Sequence, residues 1–156
     1  SLDIFEKLYG YKSKVFTPPA MFYNPEIENV LAEEQISWLD VGRFFKIPLV
    51  GGGERFQYNY LGRKKKSGLK VLVRNAVFET NMSEHDNGVV RCMYDIEQAF
   101  QSKQPALISN HRASFVGGLD TINRDKGLKA LDELFGKIIA KWPDAEFVST
   151  DELNKL

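Results

Sequence analysis

The chain has a single cysteine, two histidines and no surplus of either charge. One thiol excludes an internal disulfide and any cysteine-rich zinc site. Cys92 lies in Val89-Val90-Arg91-Cys92-Met93-Tyr94 with nothing to depress its pKa, so it reads as a buried, inert thiol rather than a nucleophile. His85 and His111 are 26 positions apart on different segments and make a poor metal pair. Basic and acidic residues balance at 21 each, so no net field draws the chain to nucleic acid or anionic lipid. No apolar run is long enough to cross a membrane, and no signal peptide or repeat is visible. The opening Ser1-Leu2-Asp3-Ile4-Phe5 reads like the end of a helix rather than the start of a protein.

What is present is core material. Hydrophobic residues make up 43% of 156, including 11 Phe, 6 Tyr and 2 Trp, enough for one folded domain. Asp3 to Leu8 has a helical pattern stopped by Gly10. Ser13 to Thr17 reads as a strand ended by Pro18-Pro19. Asn24-Pro25 opens a helix with Ile27, Val30 and Leu31 as its buried stripe. Ile36 to Val41 is the next strand. Val89 to Lys103 is a helix with Val90, Met93, Tyr94, Ile96 and Phe100 inward, followed by the strand Ala106 to Ser109. Leu128, Leu131, Leu134, Phe135, Ile138 and Trp142 mark a helix from Arg124 to Trp142. Glu146 to Thr150 is the expected last strand. This alternation predicts a parallel sheet covered by helices.

The segment 44–81 differs and reads as a hairpin-rich insertion. Gly51-Gly52-Gly53, alternating Phe56, Tyr58 and Tyr60, the basic run Arg63 to Lys66 and then Leu69 to Val73 suggest a hairpin with a basic tip. The glycine run opens no helix and lacks the Gly-Lys-Ser/Thr of a phosphate loop.

In parallel α/β folds, chemistry gathers past the C-terminal strand ends. Three such ends are polar: Thr17 to Pro25, Trp38 to Arg43, and Ile108 to Phe115. His111 is either a general acid or a hydrogen-bonded loop histidine. Asp40 either orients a catalytic group or caps the turn before Gly42. Trp38 either stacks on a sugar ring or fills the core. Arg74, Asn75 and Glu79 either contact substrate or are solvated. His85, beside Glu84 and Asp86, reads as a surface residue, and Asn81-Met82-Ser83 is formally a glycosylation sequon. Ser114 near His111 lacks a nucleophile elbow.

In order, Pro18-Pro19 with Tyr23-Asn24-Pro25-Glu26, then Trp38 and Asp40, then Leu107-Ile108-Ser109-Asn110-His111, and finally the long helix with Glu146 to Leu153 resemble the later motifs of the NodB-homology polysaccharide deacetylases, carbohydrate esterase family 4. Thr17 stands where that family has an arginine. The resemblance implies the C-terminal half of a deformed (β/α) barrel, covering residues 1–156 with the hairpin insertion inside it. It also implies a divalent metal, usually zinc, whose Asp and His ligands are absent from this chain. His111 and Asp40 would be the catalytic pair, with Pro18, Pro19, Tyr23, Trp38, Arg74 and Arg112 on the substrate. Acetylated polysaccharide is the expected partner, in the cell envelope or outside the cell. The isolated chain would be inactive, and it would self-associate or pair with its missing half. The competing expectation is a non-catalytic carbohydrate-binding or structural domain.

Overall fold

The computed structural model describes residues 2–48, 51–80, 87–118 and 121–155. The segment Asn81 to Asp86, with His85 and the sequon, lies outside the described residues. The chain divides into two compact units, Ser1–Val73 with Val148–Leu156, and Arg74–Phe147.

The first unit opens with α1 (Leu2–Tyr9), ended by Gly10 at φ 76°, whose N–H reaches back to the Glu6 carbonyl at 2.8 Å. A left-handed glycine closes a helix without a Cβ penalty. Three short strands follow as one parallel sheet in the order β1 (Val15–Phe16), β2 (Trp38–Asp40), β5 (Lys70–Leu72). All three residues of β2, the central strand, are buried. Leu39, Val41, Leu69, Val71 and Val73 pack with Leu31 and Ile36 to form the core of this unit.

Between β1 and β2 runs α2 (Ile27–Glu33). Asn24 does not cap it directly. Its Oδ1 accepts the Glu26 N–H at 3.0 Å and its carbonyl accepts Ile27 N–H at 3.1 Å, so a turn precedes the helix. The expected stripe holds for Leu31, whereas Ile27 is half-buried and Val30 faces outward.

The basic run does fold back antiparallel on the segment that follows it, with Lys64 bridged to Lys70, but the aromatic strand pairs elsewhere than the sequence suggested. β3 (Phe44–Pro48) pairs antiparallel with β4 (Glu54–Tyr58), and the glycine run lies at its turn. Gly51, Gly52 and Gly53 all have positive φ, from 89° to 98°, which explains the run. The basic stretch forms a tight turn between β4 and β5. It is closed by Lys65 N–H to the Leu69 carbonyl at 2.8 Å and Gly68 N–H to the Lys65 carbonyl at 3.0 Å.

The second unit pairs β6 (Ala76–Val77) in parallel with β7 (Ile108–Ser109). Against them pack α3 (Gly88–Gln101) and α4 (Thr121–Lys141), with Ala76, Phe78, Val89, Cys92, Ile96, Leu134 and Ile138 as the core. Asn87 caps α3, its Oδ1 accepting the Val89 and Val90 N–H groups at 3.1 and 3.3 Å. The buried face of α3 is Val89, Cys92, Ile96 and Ala99, about one residue round from the expected one. Val90 and Tyr94 point to solvent. Both stripes are apolar, and the smaller side chains take the inner one. On α4, Leu134 and Ile138 are buried as expected, while Leu128 and Phe135 are exposed.

The expected last strand does not form: residues 145–149 are irregular and lead into a 3-10 turn, Thr150–Lys155. Ser149 explains this, because its N–H and hydroxyl both bond to Glu152 Oε2, at 3.0 and 3.2 Å. Ser149-Thr150-Asp151-Glu152 has the spacing of a capping box, and local capture of that kind competes with a strand ladder. The architecture is therefore mixed α/β, with four α-helices and three small sheets among the described residues and no closed barrel among them.

Candidate functional site at the strand ends

Each unit carries a polar pair just beyond the C-terminal end of two parallel strands. In the first unit, Thr17 follows β1 and Asp40 ends β2. The Thr17 hydroxyl donates to Asp40 Oδ2 at 3.1 Å, and Asp40 is buried. In the second unit, Glu79 follows β6 and His111 follows β7. His111 Nδ1 lies 2.5 Å from Glu79 Oε1. The Glu79 side chain is only 13% exposed, whereas the imidazole is 78% exposed. A carboxylate accepting at Nδ1 puts the ring hydrogen there and leaves Nε2 as the nitrogen not engaged by Glu79.

Two glycines fix the backbone behind this second pair. A Cβ on Gly88, the first residue of α3, would sit 2.2 Å from the Glu79 carbonyl oxygen. A Cβ on Gly127 of α4 would sit 1.9 Å from the carbonyl oxygen of Ser114, in the 3-10 turn Arg112–Phe115 that follows His111. Only glycine permits helices to approach so closely. Asp95 of α3 also accepts the Val77 N–H at 3.1 Å, tying helix to strand.

The remaining candidates separate into exposed and engaged. Arg112 is exposed at the start of its 3-10 turn, and Arg74 is exposed with Nη1 3.4 Å from the Ser109 hydroxyl. Pro18 is buried and Pro19 begins a 3-10 turn, Pro19–Met21, in which Ala20 and Met21 have φ of 49° and 62°. Trp38 is 5% exposed, with Lys70 Nζ 5.1 Å from its ring centroid, so the indole offers no open face to a sugar. Tyr23 is taken up internally. Its hydroxyl donates to Glu28 Oε1 at 2.6 Å and accepts from Lys65 Nζ at 3.1 Å, and its ring stacks on Phe45 with centroids 4.8 Å apart. Burial, then the hydrogen bond and charge of Glu28, hold the Tyr23 phenol well above its ordinary range. Cys92 is fully buried, and burial followed by the charge of Asp95 pushes its thiol up to about 12.

Sequence reasoning left Glu79 between substrate contact and solvation without pairing it with His111, and missed Lys65 as an interior ion-pair partner. The signal for Glu79 was available in Ala76 and Phe78, both buried and two apart, which mark a strand ending just before it. For Lys65, its 3.0 Å pair with Glu28 spans 37 residues and leaves no local pattern. Among the described residues no group of three or more His, Cys, Asp or Glu side chains is placed to hold a metal ion, and no helix is long and apolar enough to cross a membrane.

The family model for glycosyl hydrolase family 57 matches residues 1–106. No curated protein and no solved structure matches the chain. The family match corrects the resemblance to polysaccharide deacetylases and, with it, the reading of the activity as acetyl removal; the competing reading of a non-catalytic binding domain is left without support. The motifs behind that resemblance were Pro-Pro after one strand, Trp and Asp on another and His after a third. These are positional features of strand ends and do not separate one carbohydrate-acting family from another. Zinc, acetylated substrate and an envelope location were expected only through that resemblance. The chain belongs to glycosyl hydrolase family 57.

Proposed function

We propose that this chain forms part of an enzyme that hydrolyses glycosidic bonds in a carbohydrate, with the Glu79–His111 pair in its sugar-binding region. The observation that carries the reading is the 2.5 Å contact between a sheltered carboxylate and an exposed imidazole, at the ends of adjacent parallel strands. His111 acts as the general acid. Its Nε2 gives a proton to the glycosidic oxygen as the bond to the anomeric carbon breaks, and water adds to that carbon and returns a proton to the ring. Glu79 positions the ring, as carboxylates behind imidazoles commonly do.

Arg74 and Arg112, both exposed near this strand end, supply donors for sugar hydroxyls. Asp40 is a positioning residue in its own unit, holding the Thr17 hydroxyl and so the start of the Pro18-Pro19 turn. Parallel strands covered by helices are the building blocks of a (β/α) barrel, and each unit by itself carries one parallel sheet of that kind.

The test is release of reducing ends from soluble malto- and cello-oligosaccharides. His111→Ala is expected to lower the rate by on the order of 100-fold, and Glu79→Gln by about tenfold. Turnover by His111→Ala at the unsubstituted rate would overturn the reading.

A further inference from the structure

The β3–β4 hairpin presents a row of large rings to solvent. Its register sets Phe44 opposite Tyr58 and Lys46 opposite Phe56, so these four side chains share one face. Phe44, Phe56 and Tyr58 are 69%, 65% and 53% exposed. The next residue of the opposite face is Phe45, which is 2% exposed and stacked on Tyr23. Anchoring by Phe45 dictates that Phe44 and its partners point outward, because neighbouring strand residues face opposite ways. The exposed rings are thus a consequence of register and not of a loose hairpin.

Beside the rings, toward the turn, sits one charged pair. Lys46 Nζ bonds to Glu54 Oε2 at 2.9 Å and lies 5.4 Å from the Phe56 centroid. Phe44 and Tyr58 lie with centroids 5.5 Å apart and planes tilted by 60°. The face is therefore apolar rings bordered by polar groups whose charges cancel. A sugar ring has the matching character, with C–H faces that stack on aromatic rings and a rim of hydroxyls that exchange hydrogen bonds with an ammonium and a carboxylate. On that face the one cation is paired with the one anion, which fits a neutral glycan.

We infer that the outer face of the β3–β4 hairpin is a binding platform for a neutral glycan chain, with Phe44, Phe56 and Tyr58 as its stacking rings. The inference rests on the glycosidase reading for its class of ligand. Its function is to hold the polymer, separately from the Glu79–His111 pair.

The experiment is affinity electrophoresis of the chain in gels containing soluble starch, hydroxyethyl cellulose or polygalacturonate. It is paired with the reducing-end assay on short oligosaccharides. The expected result is retardation by at least one neutral polymer and none by polygalacturonate. Phe56→Ala with Tyr58→Ala should weaken the retardation by on the order of tenfold or more while leaving turnover of short oligosaccharides unchanged. Both residues are exposed, and thermal melting of the double variant checks that it folds.

Equal retardation of the double variant, or none of the unsubstituted chain, overturns the platform, whatever the hydrolysis assay gives. A double variant that loses self-association in sedimentation but keeps its glycan retardation overturns it in favour of a second copy as the occupant. Ring-dependent retardation with no hydrolysis by any preparation upholds the platform and removes the glycosidase reading.

Discussion

The two strand ends differ in what stands in front of a sheltered carboxylate. In the first unit Asp40 is buried and faces a threonine hydroxyl. In the same unit, Lys65, Glu28 and Tyr23 close on one another with their polar groups turned inward. In the second unit the carboxylate of Glu79 is sheltered but the imidazole before it is open. Buried polar groups that satisfy each other fix a backbone and present nothing to a ligand. A sheltered carboxylate behind an exposed imidazole fixes one ring nitrogen and offers the other. The same layout of parallel strands therefore yields one closed end and one open end.

Three substitutions or conditions would break or sharpen that contrast. The largest effect is expected from Gly127→Ala, because its Cβ would meet the Ser114 carbonyl oxygen at 1.9 Å. Overpacking against backbone should cost about 3 kcal/mol in denaturant unfolding. Hydrogen exchange should speed up around residues 76–78 and 112–115 while residues 38–41 keep their protection. A uniform loss of protection would break the division into two units.

A smaller effect, about 2 kcal/mol, is expected from Lys65→Ala. Removing the ammonium leaves Glu28 facing Tyr23 with side-chain exposure of only 12%. Here the loss of protection should appear in the first unit, at residues 28–31 and 63–71. An unchanged unfolding midpoint would show that the first unit is not held by this pair.

The smallest effect is on pH. The Cys92 thiol is raised from 9.0 to about 12, mainly by burial and then by Asp95. Its contribution to stability is present in full below pH 9 and is lost as pH rises from 9 through 12, because the unfolded chain releases the proton first. Tyr23 acts in the same direction, but its loss begins only near its ordinary 10.0. Denaturant midpoints at pH 8.5, 9.5 and 10.5 should fall first in a Cys92-dependent manner, and Cys92→Ala should flatten the first part of the slope. A slope identical in Cys92→Ala would place the alkaline sensitivity elsewhere.

The helices and the central strand β2 were legible in the sequence because their signals are local. Periodic Leu131, Leu134 and Ile138 on α4 and the glycine after α1 needed no partner to be read. The hairpin was misread because pairing is not local: Phe56 and Tyr58 alternate in the same way whether their partner is β3 or β5. Their exposure was illegible for the same reason, since a ring in the core and a ring on a platform have one and the same composition. The polar strand ends could be located, and His111 and Asp40 were placed there. Their partners, Glu79 at 32 residues and Thr17 at 23, belong to register, which the chain settles only when strands meet.

That register carries a consequence for how the chain tolerates change in length. β6 and β7 run with a constant offset of 32: Ala76 faces Ile108 and Val77 faces Ser109. One step earlier, the Asn75 amide takes a rung of its own, accepting from Leu107 N–H at 2.7 Å and donating to the Pro105 carbonyl at 3.0 Å. Glu79 and His111 keep the same offset two steps later. The pair is thus a matter of counting. One residue gained or lost between Val77 and Glu79, or between Ser109 and His111, puts imidazole and carboxylate on different rungs.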